Sequence, residues 1–163
     1  MTHATRLPIP AALLTCVLAT GCSSTVGVRN MNVVQAPPAA VTKVAVSVDK
    51  ARNNDQGEAV ALENGLTREF RNAGYELAAG GLSVQAEITE LKRGSTVANV
   101  IIGLGAGSDY ADVACRVSDS TGKQLMSFVV HGTVVDKRYR ELNGVLSEYV
   151  PQAILKEIKE ASR

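Results

Sequence analysis

“YADVACRVSDSTGKQLMSFVVHGTVVD”, residues Tyr110 to Asp136, is the stretch that decides the fold. Between Tyr110 and Ser118, small or β-branched apolar residues alternate with polar ones, which is the period-two pattern of a strand with one buried face. “SDSTGKQ” then supplies turn-forming residues, with Gly122 providing backbone freedom, and Gln124 to Asp136 is again rich in β-branched residues. The stretch therefore predicts a β-hairpin.

Alternating residues also predict two strands upstream of this hairpin, in “VTKVAVSV” (residues 41–48) and “LSVQAEITEL” (residues 82–91). Between them we expect a helix that begins at Asn54 or Asp55, runs to about Asn72 and is closed by Gly74. Its apolar residues fall at steps of three and four and form one buried stripe: Ala59, Leu62, Leu66, Phe70 and Ala73.

The C-terminal element is a predicted helix from Glu141 to about Ala161, with its apolar residues on one side. Pro151 lies inside it. Because proline removes one helical N–H and clashes with the preceding turn, the helix should kink or split near Ser147. The order β-α-β-β-β-α then predicts a single two-layer α+β domain over residues 41–163, with a mixed four- to five-stranded sheet and two helices on one face.

Residues 1–21 have the features of a signal peptide, with Arg6 in a short first part and an apolar run, Ile9 to Ala19, that is too short to span a bilayer. They end in “LATGCSS” (residues 18–24), which resembles a bacterial lipobox. The resemblance implies cleavage before Cys22 and a membrane anchor of acyl chains such as palmitate on that residue. Ser23 stands where an Asp resembles an inner-membrane retention signal, so the resemblance favours the outer membrane, with the domain facing the periplasm.

The segment after the lipobox, “SSTVGVRNMNVVQAPPAA” (residues 23–40), mixes small, polar and proline residues without a period. Such a composition is typical of a linker. We therefore interpret residues 22–40 as the lipidated N-terminus and a flexible tether.

Charge and cysteine content limit the partners and the chemistry. Arg6 is the only charged residue in 1–21, so the 17 basic and 16 acidic residues of the whole chain become equal in number after cleavage. A nucleic-acid partner requires a basic face, and none is expected here. Cys16 leaves with the leader and Cys22 carries lipid, so Cys115 has no disulfide partner, and its apolar neighbours predict a buried, unreactive thiol.

“VIIGLGAGSD” (Val100–Asp109) has the glycines of a phosphate-binding loop but not its context. Such a loop needs a following helix, a Lys-Ser/Thr pair or an acidic residue after a second strand, whereas this segment runs into a period-two strand. We therefore expect no nucleotide partner. Gly103, Gly105 and Gly107 instead predict a tight bend or a close approach of two backbone segments.

The stretch “VIIGLGAGSDYADVACRVSDSTGKQLMSF” resembles the central signature of the domain-of-unknown-function family 4410. Members of that family are bacterial lipoproteins with a glycine-rich G-x-G-A-G segment, a strand, a Thr-Gly turn and a second strand. The element order is similar from Val41 to Ile158, and the letters from Gly103 to Gly122. The resemblance implies a small envelope lipoprotein without an established activity, and it assigns no catalytic residue.

No constellation of residues in the sequence predicts catalysis or a metal site. His131 is the one histidine left after cleavage, so a zinc site of several His or Cys ligands cannot form. Asp109 and Asp112 are close to the glycines, but on a strand they point to opposite faces. A G-x-S-x-G motif is absent, and no acidic partner for His131 is evident. We therefore expect no enzymatic activity and no cofactor.

The last strand is apolar on both faces, which predicts a surface for a partner. Met126, Phe128, Val130 and Val134 form one row and would pack under the helices. The other row would then be exposed, and exposed apolar area usually marks an interaction site. With two residues of the following charged segment, the candidate surface comprises Leu125, Val129, His131, Val135, Arg138 and Tyr139. Alternatively, the tether folds back over this row.

Three function classes remain open from the sequence. The first is a non-enzymatic accessory or interaction module of cell-envelope machinery, anchored in the outer membrane. The second is a periplasmic carrier of a small ligand or lipid, with a pocket around Val97 to Leu104, and the third is a hydrolase with unrecognised residues. A docking protein should have an open patch, a carrier an enclosed cavity, and an enzyme convergent polar groups with shifted pKa values.

Overall fold

The structure, a computed structural model, describes residues 24–49, 56–94, 108–134 and 141–163. The strands in these ranges are β1 (Ser24–Val33), β2 (Lys43–Asp49), β3 (Glu76–Leu77), β4 (Leu82–Lys92), β5 (Asp109–Ser118) and β6 (Gln124–Val134). Helix α1 (Gln56–Asn72) lies between β2 and β3. The C-terminal helical segment comprises α2 (Leu142–Gly144), a π-helical turn (Val145–Tyr149) and α3 (Val150–Ala161).

One mixed sheet contains all six strands, in the spatial order β1-β6-β5-β4-β2-β3. β2 runs parallel to β3 and β4, and the other pairs are antiparallel. Helix α1 packs near β2 and β3, the C-terminal helical segment packs near β5, β6 and β1, and the two helical segments contact each other. The predicted α+β class with a mixed sheet is confirmed. The predicted four to five strands are wrong, because the sequence analysis missed β1 and the two-residue β3.

The β5–β6 hairpin has the predicted strands and the predicted turn. Gly122 adopts a positive φ of 87°, which costs glycine little, and its N–H donates to the Asp119 carbonyl at 3.0 Å. The Asp119 carboxylate accepts hydrogen bonds from the Thr121 hydroxyl at 2.6 Å and from the Thr121 and Lys123 N–H groups. These bonds, first among them the one from the Thr121 hydroxyl, lower the pKa of Asp119.

β1 corrects the interpretation of residues 22–40 as a flexible tether. Ser24 to Val33 forms an antiparallel edge strand on β6, with Ser24 opposite Val134. Val26 and Val28 pack against the core, while Asn30, with a positive φ of 52°, marks a β-bulge. Glycine, asparagine and arginine between the valines weaken the strand signal, so the pairing with β6, which is remote in sequence, decides the local structure.

The core lies between the helical segments and the inner face of the sheet. Alternate residues of the three central strands point into it: Leu82, Val84, Ala86, Ile88, Ala111, Val113, Cys115, Val117, Met126, Phe128 and Val130. Four residues of the predicted stripe of α1 are fully buried against them: Ala59, Leu62, Leu66 and Phe70. Gly132 of β6 also faces inward, and a Cβ there would lie 2.7 Å from Val145 Cγ1. Glycine at this position lets the C-terminal helical segment approach the sheet.

Pro151 disturbs the C-terminal helix as predicted, but the helix widens rather than splits. Backbone angles remain right-handed helical on both sides of the π-helical turn, where the Val150 N–H donates to the Val145 carbonyl. Pro151 has no N–H to offer the Ser147 carbonyl four residues earlier. The Arg68 guanidinium of α1 donates to that carbonyl at 2.7 Å instead. A side chain from the neighbouring helix thus satisfies the acceptor that proline leaves open.

Gly65 is where α1 comes closest to this irregular turn. A Cβ on Gly65 would overlap the Ser147 carbonyl oxygen and lie 2.8 Å from Pro151 Cγ. We expect Gly65→Ala to lower the free energy of unfolding by about 1–3 kcal/mol, the usual range for overpacking. The measurement is urea denaturation followed by circular dichroism.

Gly57→Ala is the matched control, because Gly57 belongs to the same helix and a Cβ there has no neighbour within 4 Å. Its free energy of unfolding should stay level or rise by at most about 1 kcal/mol, as alanine favours helix over glycine. A loss in Gly57→Ala as large as that in Gly65→Ala would show that the contact with Ser147 does not determine the effect.

Cys115 on β5 is buried, as predicted, with 3% of its surface exposed. Burial raises the pKa of its thiol from 9.0 to about 12. The folded protein therefore holds the thiol proton more tightly than the unfolded chain does, and this stabilisation is fully present below about pH 9. As the pH rises from about 9 towards 12, the wild-type free energy of unfolding should fall more steeply than that of Cys115→Ala.

The same burial predicts the reactivity of the thiol. In the mature chain, native Cys115 should not react with an aromatic disulfide reagent at pH 8, and it should react once urea unfolds the protein. Rapid labelling of the native protein would place Cys115 at the surface and contradict the buried position.

Candidate functional site: the outer face of the sheet

The face of the sheet opposite the helices carries the candidate site. Side chains of this outer face are exposed or half-buried in β2, β4, β5 and β6, whereas their strand neighbours are buried. The sheet forms an open groove of about 480 Å³ there. Its lining combines the outward residues Asn30, Ser47, Asp49, Gln85, Glu87, Ala114, Arg116, Ser127 and Val129 with the core-facing residues that alternate with them, Val48, Ala86, Cys115 and Phe128.

Two cross-strand rows give the groove a polar, charged lining. In the first row Arg116 lies between Gln85 of β4 and Ser127 of β6, and Ser47 follows beyond Gln85. In the second row Ala114 and Val129 lie between acidic Asp49 and Glu87 on one side and Arg29 of β1 on the other. Basic and acidic groups thus occupy different parts of one surface, with the apolar side chains of Ala114 and Val129 between them. Such a surface suits a polar partner with charges of both signs.

Beside the groove, a hydrogen-bonded chain links β5 and β6. His131 Nδ1 lies 2.5 Å from an Asp112 carboxylate oxygen, and His131 Nε2 lies 2.9 Å from the Thr133 hydroxyl. Our expectation that His131 has no acidic partner is wrong. The two residues are directly opposite in the β5–β6 register, a relationship that alternation within one strand does not reveal. Asp109 and Asp112 do point to opposite faces, as predicted, since Asp109 is buried and accepts from the Gly94 N–H at 2.7 Å.

Tyr110 extends this polar chain towards β4. Its ring lies beside that of His131, with centroids 5.4 Å apart and the planes tilted by 37°, and its hydroxyl donates a hydrogen bond to Glu90. That bond and the nearby Glu90 charge raise the pKa of Tyr110. Lys92 Nζ lies 5.8 Å from the centre of the same ring. Side chains of three strands thus hold one another in place on the outer face.

The apolar candidate surface differs from the sequence prediction. Val129 and His131 do lie on the outer face, but Leu125 is 1% exposed and belongs to the core. A register shift next to Leu125 breaks the alternation, and its carbonyl accepts from the N–H groups of Val34 and Gln35. Outward residues of β6 are therefore Ser127, Val129, His131 and Thr133, and only one of them is aliphatic.

Several predicted residues lie outside the described residues. They are Cys22 of the lipobox, Gly103, Gly105 and Gly107 of the glycine stretch, Val135, Arg138 and Tyr139 of the candidate surface, and the apolar piece Val97 to Leu104. β5 begins at Asp109, so the glycine stretch is followed by a strand, as the sequence predicts.

Two further observations concern the described ranges alone. There, no cluster of three or more His, Cys, Asp or Glu side chains is arranged to hold a metal ion. None of the helices of that part of the chain combines the length and hydropathy of a membrane span.

Comparison with known proteins places the chain in a family. Among solved structures, a variant PelC dodecamer from Paraburkholderia phytofirmans is similar with a TM-score of 0.50 and 16% identity, over 83% of this chain and 97% of that one. A minor lipoprotein from Acinetobacter baumannii is similar with a TM-score of 0.48 and 13% identity, over 74% and 94%. At these identities the likeness to PelC concerns the fold alone. No match was found among the curated proteins. The family model described as “Domain of unknown function (DUF4410)” matches residues 38–136, and the chain therefore belongs to the DUF4410 family.

Proposed function

We propose that this chain is a lipid-anchored protein of the bacterial outer membrane, facing the periplasm, that acts without catalysis as an accessory of envelope machinery. It binds another envelope protein through the outer face of its sheet. The observation that carries the proposal is the open groove of about 480 Å³ on a sheet whose other face is covered by helices. An antiparallel sheet normally leaves such a face polar and solvated, and here it also carries ordered charged and hydrogen-bonded groups.

The anchor is supported by the sequence around Cys22. “LATGCSS” resembles a lipobox at Cys22, and Ser23 lacks the Asp of the inner-membrane signal.

A binding role is favoured over hydrolysis by the position of β6. Asp112, His131 and Thr133 have the order of carboxylate, imidazole and hydroxyl found in acyl-transfer enzymes. Such enzymes also need free backbone N–H groups near the nucleophile to bind an oxyanion. β6 pairs with β1 on one side and with β5 on the other, and Thr133 lies opposite Thr25 and Tyr110. The backbone of β6 around Thr133 is therefore engaged in strand pairing on both sides, and its N–H groups are not available to bind an oxyanion.

A binding role is also favoured over a carrier of a small ligand or lipid. Carrier sites are enclosed and mostly apolar. The groove is open, and most of its outward side chains are polar or charged: Asn30, Ser47, Asp49, Gln85, Glu87, Arg116 and Ser127. An acyl chain there would remove charged groups from water without replacing their hydrogen bonds, which is unfavourable.

The anchor predicts the outcome of one substitution. Cys22→Ala should leave a precursor that incorporates no labelled fatty acid and does not fractionate with the outer membrane, because the thiol that receives the lipid is gone. Cys115→Ala is the matched control and should remain labelled and membrane-bound. Outer-membrane fractionation of Cys22→Ala would contradict the lipoprotein assignment.

The binding face is tested with photo-crosslinking residues in living cells. A photo-reactive side chain at Ser127, in the groove, should give a defined protein adduct, whereas one at Lys159, on the exposed side of α3, should not. Val129→Lys should abolish the Ser127 adduct by placing a long cation across the second row. The circular dichroism spectrum and membrane fractionation of this variant should remain those of the wild type.

Val130→Lys is the control for the face itself. Val130 is the next residue of β6, is fully buried, and should not tolerate a charge, so this variant should unfold. If Val129→Lys unfolds as well, or if both probe positions give the same adducts, the groove is not the binding face.

A further inference from the structure

We infer that the domain is held directly against the phospholipid surface and that one end of its sheet, the proximal end, contacts the headgroups. The proximal end is defined by Ser24, Lys92, Asp109 and Val134. This placement rests on the lipidation of Cys22 proposed above, and it names the surface of the fold that meets the bilayer.

The chain between the proposed lipid site and the fold is short. β1 begins at Ser24, two residues after Cys22, and its register is continuous from Ser24 to Arg29. Two residues of extended chain reach about 7 Å at most. A lipidated Cys22 lies at the membrane surface, so the first residue of the sheet lies within about 7 Å of it. A linker long enough to let the domain turn freely is not available.

Ser24 belongs to one end of the sheet. Ser24 lies opposite Val134 of β6, Val134 lies opposite Asp109 of β5, and Lys92 of β4 lies opposite Tyr110. The start of β1 therefore coincides with one end of three neighbouring strands. The β5–β6 turn is at the other end, and the 11 residues of β6 separate the two ends by roughly 35 Å.

The proximal end carries basic side chains. Lys92 and Arg93 follow each other there, and both residues are exposed. Arg93 pairs with the buried Glu58 of α1 while more than half of its side chain remains accessible. Basic side chains near an anionic bilayer are attracted to its surface. The proximal end thus presents exposed Lys92 and the accessible part of Arg93 to anionic headgroups, while the acidic groups there, Glu58 and Asp109, are buried.

The chain allows a clean labelling experiment. Cys115 is buried, Cys22 carries the lipid and Cys16 belongs to the leader, so an introduced cysteine is the one accessible thiol of the mature protein. We choose Thr25→Cys at the proximal end, Asn32→Cys far along β1, and Ser120→Cys in the β5–β6 turn. All three positions are exposed.

Each variant is purified as the lipidated full chain, labelled with a small fluorophore, and reconstituted into vesicles of phosphatidylethanolamine and phosphatidylglycerol that contain a lipid with a nitroxide on its headgroup. The probe at Thr25→Cys should be quenched several-fold more strongly than the probes at Asn32→Cys and Ser120→Cys. A Gly-Ser spacer of about ten residues before Ser24, which spans roughly 17 Å, should remove most of that difference.

Equal quenching at Thr25→Cys and Asn32→Cys would mean that the domain lies on the edge of β1, and quenching at none of the sites would mean that it stands away from the bilayer. Either result overturns the placement.

Vesicle flotation of the same samples separates this inference from the one on which it depends. Protein that floats with the vesicles but shows no gradient of quenching is lipidated and differently oriented. Protein that does not float has no anchor, which overturns both the lipoprotein proposal and the placement.

Discussion

The double pairing of β6 is the constraint on which the rest of the structure depends. β1 bonds to one side of it and β5 to the other, so the backbone of β6 is held along most of its length. Its inward residues support the C-terminal helical segment, and Gly132 provides the space in which that segment approaches the sheet. Its outward residues Ser127 and Val129 line the groove, and His131 and Thr133 belong to the hydrogen-bonded chain with Asp112. Core, helix contact and candidate site all depend on the register of one strand.

The sequence predicts those parts of the fold in which local pattern and tertiary burial agree. β4, β5 and β6 alternate cleanly, and Gly122 occupies the left-handed position of the turn, so the hairpin follows from the residues themselves. β1 could not be recognised in this way. Its valines are interrupted by glycine, arginine and asparagine, and it becomes a strand because β6, some hundred residues later in the chain, offers an unpaired edge.

The candidate site, too, is predicted by the sequence only in part. Alternation alone places Val129 and His131 on the outer face, but it also places Leu125 there, because it does not reveal the register shift next to that residue. The contact of His131 with Asp112 depends on which residues of two strands face each other. The pattern of one strand does not reveal its register with the neighbouring strand. The set of polar and charged side chains along the groove likewise requires five strands to be aligned. A pattern within one strand assigns faces, and the pairing of strands assigns neighbours.

In the C-terminal helix, a tertiary contact replaces the hydrogen bond that proline cannot form. Proline interrupts the hydrogen bonds of an isolated helix, and a kink or break is the usual result. Here the Arg68 guanidinium bonds to the Ser147 carbonyl that Pro151 leaves without a donor, and the absence of a side chain on Gly65 lets α1 come close enough for this. The irregular turn is therefore part of the packing between α1 and the C-terminal helical segment, and its geometry is shared by two elements.

β1 finally connects the fold with its proposed attachment to the membrane. In a protein with a long linker, the anchor and the domain are mechanically independent, and the domain samples many orientations. Here the strand next to the proposed lipid site is itself part of the sheet, bonded along its length to the strand that organises the core. A force on the proposed anchor would reach β6 through the backbone hydrogen bonds of β1. With that anchor, the proposed binding groove, whose lining includes Asn30 of β1 and Ser127 of β6, would have a fixed relation to the bilayer. A partner that is itself fixed in the membrane would meet this face in a defined orientation, which reduces the orientational entropy lost on binding.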